Sequence, residues 1–213
     1  MASGEMALGT ADTLSGVASA ESGLVEQCRR GDAQAFARLV ALHEGMVYNL
    51  AVRLLGDPEE ARDLSQEVFL QVYRTLGRFE GRSSLKTWIY RIVVNHSHNR
   101  HRWWRRRRKD RALALEEMTP GDEARMSEAG APQDGPHEQL ERRERAARVQ
   151  AALSTLSFEH KAILLLREVE ELSCEEMAET LRLPVGTVKS RLARAREALR
   201  RTILAQGEAG VRP

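Results

Sequence analysis

Cysteine is scarce. The 213 residues carry two, Cys28 and Cys174. They lie far apart, at neither zinc nor redox spacing, which excludes a disulfide framework and fits a reducing cytosol. No apolar run approaches the ~18 residues of a membrane helix, so the chain is expected to be cytoplasmic and not membrane-inserted. Residues 1–23, rich in Ala, Ser and Gly, lack the basic start and apolar centre of a signal peptide and read as a disordered tail. Residues 206–213 read as a second tail. There is no Gly-rich phosphate loop, nucleophile elbow or paired-carboxylate motif. The expectation is a non-enzyme, with no catalytic residue, cofactor, metal or small-molecule substrate.

Charge, in contrast, is plentiful. Lys and Arg number 33 against 31 Asp and Glu, for a net charge of +2. The near balance hides an uneven distribution. Arg100–Arg111 is almost entirely positive, and Lys189–Arg201 is strongly positive again. Glu116, Glu117, Asp122, Glu123, Glu128, Asp134 and Glu138 make an acidic stretch between them. Two basic surfaces around an acidic connector suit two contacts with one polyanion.

The first basic run closes the stretch LKTWIYRIVVNHSHNRHRWWRRRRK, Leu85–Lys109. Leu85, Trp88, Ile89, Ile92, Val93 and His96 recur at spacings of three and four, which predicts one helical face. Lys86, Thr87, Tyr90, Arg91, Val94, Asn95, His98 and Asn99 fall on the other. That face combines aromatic, amide and cationic groups, which stack on bases, bond their edges and hold phosphates. Trp103 and Trp104 sit inside the cation run, where a merely solvated surface has no use for them.

Upstream, the pattern is helical from Leu24. Asp32 suits the N-cap of a helix carrying Phe36, Leu39, Val40, His43, Val47, Leu50, Ala51 and Leu54, with Gly56 as its stop. Asp57-Pro58-Glu59-Glu60 reads as an N-cap, a proline at N1 and a box-like acid at N3. The helix that follows buries Ala61, Leu64, Val68 and Val72 and leaves Asp63, Gln66, Glu67, Leu70, Gln71 and Arg74 outward, ending at Gly77. After the polar loop RFEGRS, Ser83 or Ser84 caps the helix of Leu85–Lys109. Residues 24–109 thus form one helical domain. Residues 110–137, acidic and holding Pro120, Pro132 and Pro136, read as a flexible linker with a short helix near Ala112–Met118.

Residues 138–205 read as a second helical domain. Leu140, Ala147, Val149, Ala152 and Leu153 line its first helix. Ile163, Leu164, Leu166 and Val169 are expected to be buried in the next. Ser173-Cys174-Glu175-Glu176 is a capping box opening a short helix. Arg182-Leu183 turns the chain, and Pro184 leads into a helix with Val185, Val188, Leu192, Ala195 and Leu199 on its apolar stripe. Thr187, Lys189, Ser190, Arg191, Arg194 and Arg196 lie off that stripe. A short helix, a tight turn and a cationic helix make a helix-turn-helix, whose second helix enters a major groove. The fold class is therefore all-α: two helical domains joined by a flexible linker, the C-terminal one a helix-turn-helix.

With both halves placed, the chain resembles the extracytoplasmic-function sigma factors of bacteria. The resemblance runs from Leu24 to Ile203 and rests on DLSQEVFLQVYR at Asp63–Arg74, LKTWIYRIVVN at Leu85–Asn95 and LPVGTVKSRLARAREALR at Leu183–Arg200. It implies that residues 24–109 are sigma domain 2, which binds core polymerase and recognises and melts the minus-ten element. It makes residues 138–205 sigma domain 4, which reads the minus-thirty-five element. Asp63, Gln66, Glu67 and Leu70 match the surface that docks on the beta-prime clamp helices. The loop Phe79–Ser84, including Arg82 and Ser83, matches the segment that captures a flipped minus-ten base, and Asn95 and Asn99 match readers of adjacent bases. Lys189, Ser190 and Arg194 match readers of the upstream element, with Thr187 and Arg191 beside them. The family's aromatic in that helix is Ala193 here. The resemblance further implies an anti-sigma partner. Trp88 and Tyr90 are expected to stack on a splayed base, and Arg105 and Arg106, within Arg100–Lys109, to neutralise phosphates.

Two other readings compete. A stand-alone helix-turn-helix regulator explains Ser173–Ile203, yet leaves the Asp63–Arg74 face and the second basic helix without a use. A metal enzyme could draw on His96, His98 and His101. However, two residues rotate a helix by ~200°, so only His98 and His101 could share an ion.

Overall fold

The computed structural model describes residues 21–112 and 148–209. Residues 113–137 of the expected linker, with all but the first residue of its short helix at Ala112–Met118, lie outside the described residues, as do 1–20 and 210–213 of the expected tails, while 110–112 continue the preceding helix. Residues 21–23 and 206–209 are helical, so the helices reach further than the expected boundaries.

All the regular structure among the described residues is helical. In chain order it comprises α1 (21–29), α2 (Ala33–Leu55), α3 (Pro58–Thr75) with a 3-10 turn at Leu76–Arg78, and α4 (Leu85–Ala112). Then come α5 (148–154), α6 (Phe158–Glu168), α7 (Cys174–Leu181) and α8 (Val185–Ala209).

The helix ends are set by side chains that satisfy orphan amides. Asp32 accepts from the backbone N–H of Gln34 at 2.8 Å and Ala35 at 3.1 Å. Gly56 closes α2 in the left-handed region at φ 78°, where glycine pays no Cβ penalty. Asp57 caps α3 through Glu59 and Glu60 N–H. The Glu60 carboxylate does not turn back to complete a box; it accepts from Arg100 of α4. Gly77 is not a left-handed stop either, because α3 tightens into the 3-10 turn. Ser84, rather than Ser83, caps α4, its hydroxyl accepting from Thr87 N–H at 3.0 Å. Both halves of the Ser173–Glu176 box are present, at 3.1 and 2.8 Å. The turn without glycine places Arg182 itself in the left-handed region, at φ 53° and ψ 49°.

Helices α2, α3 and α4 pack around Leu39, Val47, Leu50, Leu64, Val68, Val72, Ile89 and Val93, all fully buried. Removing a methylene cluster such as Leu64→Ala from such a core costs about 2–5 kcal/mol. In the C-terminal bundle, Ile163, Leu166, Met177, Val188 and Ala195 fill the centre. Val169, expected inside, is exposed. Val169 follows the last residue of α6, where the chain leaves the helical period.

The two bundles touch. Helix α7 lies along α4, and α6 meets the C-terminal end of α2. The Lys161 ammonium of α6, buried, donates to the Leu54 carbonyl at 3.4 Å. That carbonyl sits in the last turn of α2, where the helix dipole favours a cation. Phe158 packs against the rings of His98 and His101, with centroids 5.1 and 5.5 Å away.

Candidate nucleic-acid interface

The first surface is the loop between the 3-10 turn and α4. Phe79 anchors it by packing on the Trp88 ring at 5.3 Å. Gly81 turns it at φ 70°, and the Ser84 cap fixes its far end. The loop borders a cavity of about 760 Å³ with Phe79, Glu80, Gly81, Ser83 and Ser84 on one side and Glu21, Ser22, Val25 and Arg29 of α1 on the other. Helix α1 was not among the expected site residues; its contribution comes from the packing of residues some fifty positions away and leaves no local pattern.

Helix α4 rises from that loop. Asn95 and Asn99 are exposed on it, as are Arg105 and Arg106. Arg100 is not a free cation of this run, being held between the Glu60 carboxylate and Glu67, the latter at 2.7 Å. Trp103 is about half exposed, and the Arg107 guanidinium lies 4.2 Å from its ring centre, a cation–π pair that gives this tryptophan a structural use. His98 and His101, the pair that could have shared a metal, instead flank Phe158.

The expected second face of α4 requires a correction. Thr87, Tyr90 and Val94 are buried, Tyr90 completely, because α7 and the turn before it cover them. The Tyr90 hydroxyl donates to Glu170, which also pairs with Arg53 at 3.5 Å. Burial first, then that hydrogen bond, pushes the phenol well above its ordinary range. Trp88 is nearly buried too, against Phe79. Neither ring offers a free stacking face in this arrangement. Amphipathic spacing placed Tyr90 on the polar side of α4, but a second helix packs on that side, so both faces are buried here.

The second surface is α3. Asp63, Gln66, Glu67 and Leu70 are all exposed. Leu70 is 55% exposed and Tyr73 61%. They stand at a groove of about 720 Å³ between α2 and α3, floored by Phe36, Val40, Tyr48 and Phe69. Tyr73 meets Phe36 edge-on at 5.1 Å. Glu67 is engaged by Arg100 and lies 3.6 Å from His96, so it is tied to α4 while facing out. Tyr73 and the groove escaped the sequence reading, since the groove is made by two helices together.

The third surface is the N-terminal half of α8. Pro184 gives its carbonyl to the N–H groups of Thr187 and Val188, starting the helix. Val188, Leu192 and Ala195 are buried against α6 and α7, which directs Lys189, Ser190 and Arg194 to solvent, with Thr187 and Arg191 half-buried. Ser190 donates back to the Thr187 carbonyl at 3.1 Å. Among the described residues no ion pair closes on Lys189 or Arg194, whereas Arg196 is paired with Glu168 at 2.6 Å. This is the geometry of a helix-turn-helix reading head.

Comparison with known proteins agrees with this arrangement. The family model for sigma-70 region 2 matches residues 39–110, and that for sigma-70 region 4 matches residues 146–199. The RNA polymerase sigma-H factor of Pseudomonas aeruginosa is 39% identical over 178 residues, covering 83% of this chain and 90% of that protein. The ECF RNA polymerase sigma factor SigW of Bacillus subtilis is 33% identical over 181 residues, covering 84% and 94%. Among solved structures, CnrH in complex with the cytosolic domain of CnrY shares the fold with a TM-score of 0.61 at 24% identity, over 87% of this chain and 98% of that one. The Bartonella quintana sigma factor RpoE, solved with the anti-sigma factor NepR, gives 0.59 at 22% identity, over 80% and 98%. The chain belongs to the extracytoplasmic-function sigma factors of the sigma-70 family. Among the described residues no helix is long and apolar enough to cross a membrane.

Proposed function

We propose that this sigma factor docks on the beta-prime clamp helices of core RNA polymerase through α3, and presents α4 with its loop to the minus-ten element and α8 to the minus-thirty-five element. One observation carries the reading: a single chain holds two separate DNA-suited surfaces and a third that is acidic and apolar, hence unsuited to DNA. Asp63, Gln66, Glu67 and Leu70 form the docking face, with Tyr73 beside them. The loop Phe79–Ser84 receives an unstacked base in the cavity it shares with α1, and Asn95 and Asn99 take the edges of its neighbours. Arg105 and Arg106 neutralise phosphates. Thr187, Lys189, Ser190, Arg191 and Arg194 meet the upstream major groove. The polymerase supplies the metal and the phosphodiester chemistry.

Tyr90 enters this scheme only after α7 has left α4, so promoter engagement includes separation of the two bundles. An anti-sigma protein, the kind of partner with which RpoE was solved, is the proposed regulator. A stand-alone regulator would use α8 alone.

The division of labour along α4 is the test. Asn95 is uncharged and suits base edges, whereas Arg105 and Arg106 suit phosphates. Asn95→Ala removes preference within the minus-ten element and keeps the salt dependence. Replacing Arg105 and Arg106 by Ala weakens all promoters alike and lowers the log–log salt slope by roughly one unit per lost phosphate contact. Filter binding of the holoenzyme across a salt series, on closed and pre-melted templates, distinguishes these outcomes. The reverse pattern refutes the assignment.

A further inference from the structure

The loop proposed to receive the base has no helix or strand of its own, yet its backbone is tied down from an unexpected direction. Arg29, near the end of α1, donates through Nη2 to the carbonyl of Phe79 and through Nε to the carbonyl of Leu76 at 3.5 Å. These partners are 50 and 47 positions away in sequence. The Leu76 carbonyl already accepts from Phe79 N–H at 3.1 Å, so the guanidinium sits on the hinge where the 3-10 turn hands over to the loop. Glu26, one turn earlier on α1, lies 3.7 Å from Arg29 and steadies it. The Arg29 side chain is 35% exposed, and it lines the cavity that the loop encloses.

We infer that Arg29 is a positioning residue for base capture: it sets the aperture of the loop Phe79–Ser84 and thereby prepares it for an unstacked nucleobase. The inference deepens the proposed role of this cavity and rests on that reading. Its physical content is preorganisation. The loop is held at one end by the Arg29 fork and the Phe79–Trp88 ring contact, and at the other by the Ser84 cap. Gly81 provides the only bend between them with positive φ. A loop already fixed in its receiving shape loses less freedom when a base enters. Arginine suits the task because its rigid planar fork serves two carbonyls at once, which the single ammonium of lysine does not reproduce. Arg29 spends its donors on two backbone carbonyls and the Glu26 carboxylate, so it is not the phosphate contact that its charge alone would suggest.

The experiment compares wild type, Arg29→Lys and Arg29→Ala, each assembled with core polymerase. The probe is the single-stranded non-template minus-ten segment of a promoter selected with the wild-type holoenzyme, alongside a scrambled segment. Arg29→Ala is expected to weaken binding of the selected strand roughly five- to tenfold, in line with the loss of a charged hydrogen-bond pair and of preorganisation. Binding of the scrambled strand and the salt slope should stay unchanged. Arg29→Lys should recover part of the loss. Hydrogen exchange read by mass spectrometry should show faster exchange over residues 78–84 in Arg29→Ala, with α2, α3 and α8 unaffected. Faster exchange across the whole N-terminal bundle would make Arg29 a fold residue and overturn the inference. A lower salt slope with equal loss on both strands would make it a phosphate contact and overturn it as well, and so would wild-type binding and loop exchange in Arg29→Ala. Should the wild-type holoenzyme fail to distinguish the selected from the scrambled strand, the capture role of the cavity itself falls, an outcome separate from any effect of Arg29.

Discussion

The Tyr90 hydroxyl of α4 donates to the carboxylate of Glu170, 80 positions later, in the turn between α6 and α7. Arg53, at the end of α2, closes on the same carboxylate at 3.5 Å. Three helical segments are thus joined at one acidic side chain that is only 10% exposed. Tyr90→Phe keeps the buried ring and removes the donor. It should weaken docking of the two bundles by about 1.5–3 kcal/mol, the net worth of a hydrogen bond to a charged group. Fluorescence transfer between labels on α2 and α8 measures the separation. An unchanged closed population would show that apolar packing alone holds the bundles.

Acid should loosen the same interface. Burial, then the charges of Lys161, Arg105 and His98, hold the His101 imidazole below its ordinary value, with Glu159 opposing. Lys161 is held below its own by burial. A group whose pKa is depressed in the closed state binds its proton more readily in the open one, so closure gains as pH rises toward the ordinary value and is lost as pH falls. For His101 the loss begins as pH drops below about 6.5. His98 lies 3.7 Å from Glu159 at the same contact, so the comparison has to isolate His101. The expected result is therefore a difference: wild type should open more on acidification than His101→Gln. Equal opening would assign the pH response elsewhere.

Docking on the polymerase is best probed at Leu70. Glu67→Lys also releases Arg100 and crowds His96, so its effect mixes docking with α3–α4 pairing. Leu70→Asp touches an exposed apolar side chain alone. It should weaken binding to core polymerase at least tenfold, by ~1.4 kcal/mol or more, with unchanged circular dichroism. Wild-type affinity in a pull-down with core polymerase would remove α3 from the docking surface.

The helix-turn-helix turn offers a backbone test. Arg182 adopts a left-handed conformation that costs an L-residue with a Cβ about 1–2 kcal/mol. Arg182→Gly should be tolerated without loss of stability, whereas Arg182→Val, β-branched at Cβ, should lower the thermal midpoint. Equal stability of the two variants would mean the turn relaxes to another conformation.

What the sequence made legible follows its local periods. The caps at Asp32, Asp57 and Ser173, the stripe Ala61–Leu64–Val68–Val72 and the outward residues of α8 all depend on neighbours within a turn or two, and the structure has them as read. What escaped depends on distant packing. Tyr90 read as a polar-face aromatic because nothing near it in sequence announces Glu170. Arg100 read as one more phosphate cation because Glu60 and Glu67 belong to another helix. Arg29 carried no signal at all, since its partners are main-chain carbonyls. Val169 shows the converse, an apolar residue read as part of the stripe but lying just past the end of α6, where the helical period no longer turns it inward.

The proposed upstream contact is best tested at Arg194, which is exposed and outside any ion pair among the described residues. Arg194→Ala should lower affinity for the selected upstream element by ~1–3 kcal/mol and relax base preference there. An equal loss on every sequence would make it a phosphate contact.

Run-off transcription in vitro tests the central claim most directly. Core polymerase with this chain, on a promoter obtained by selection with the assembled holoenzyme, should give one start-specific transcript, lost with Leu70→Asp and absent with core polymerase alone. Specific promoter binding by the isolated chain, with no transcript when core polymerase is added, would contradict it and leave a stand-alone helix-turn-helix regulator.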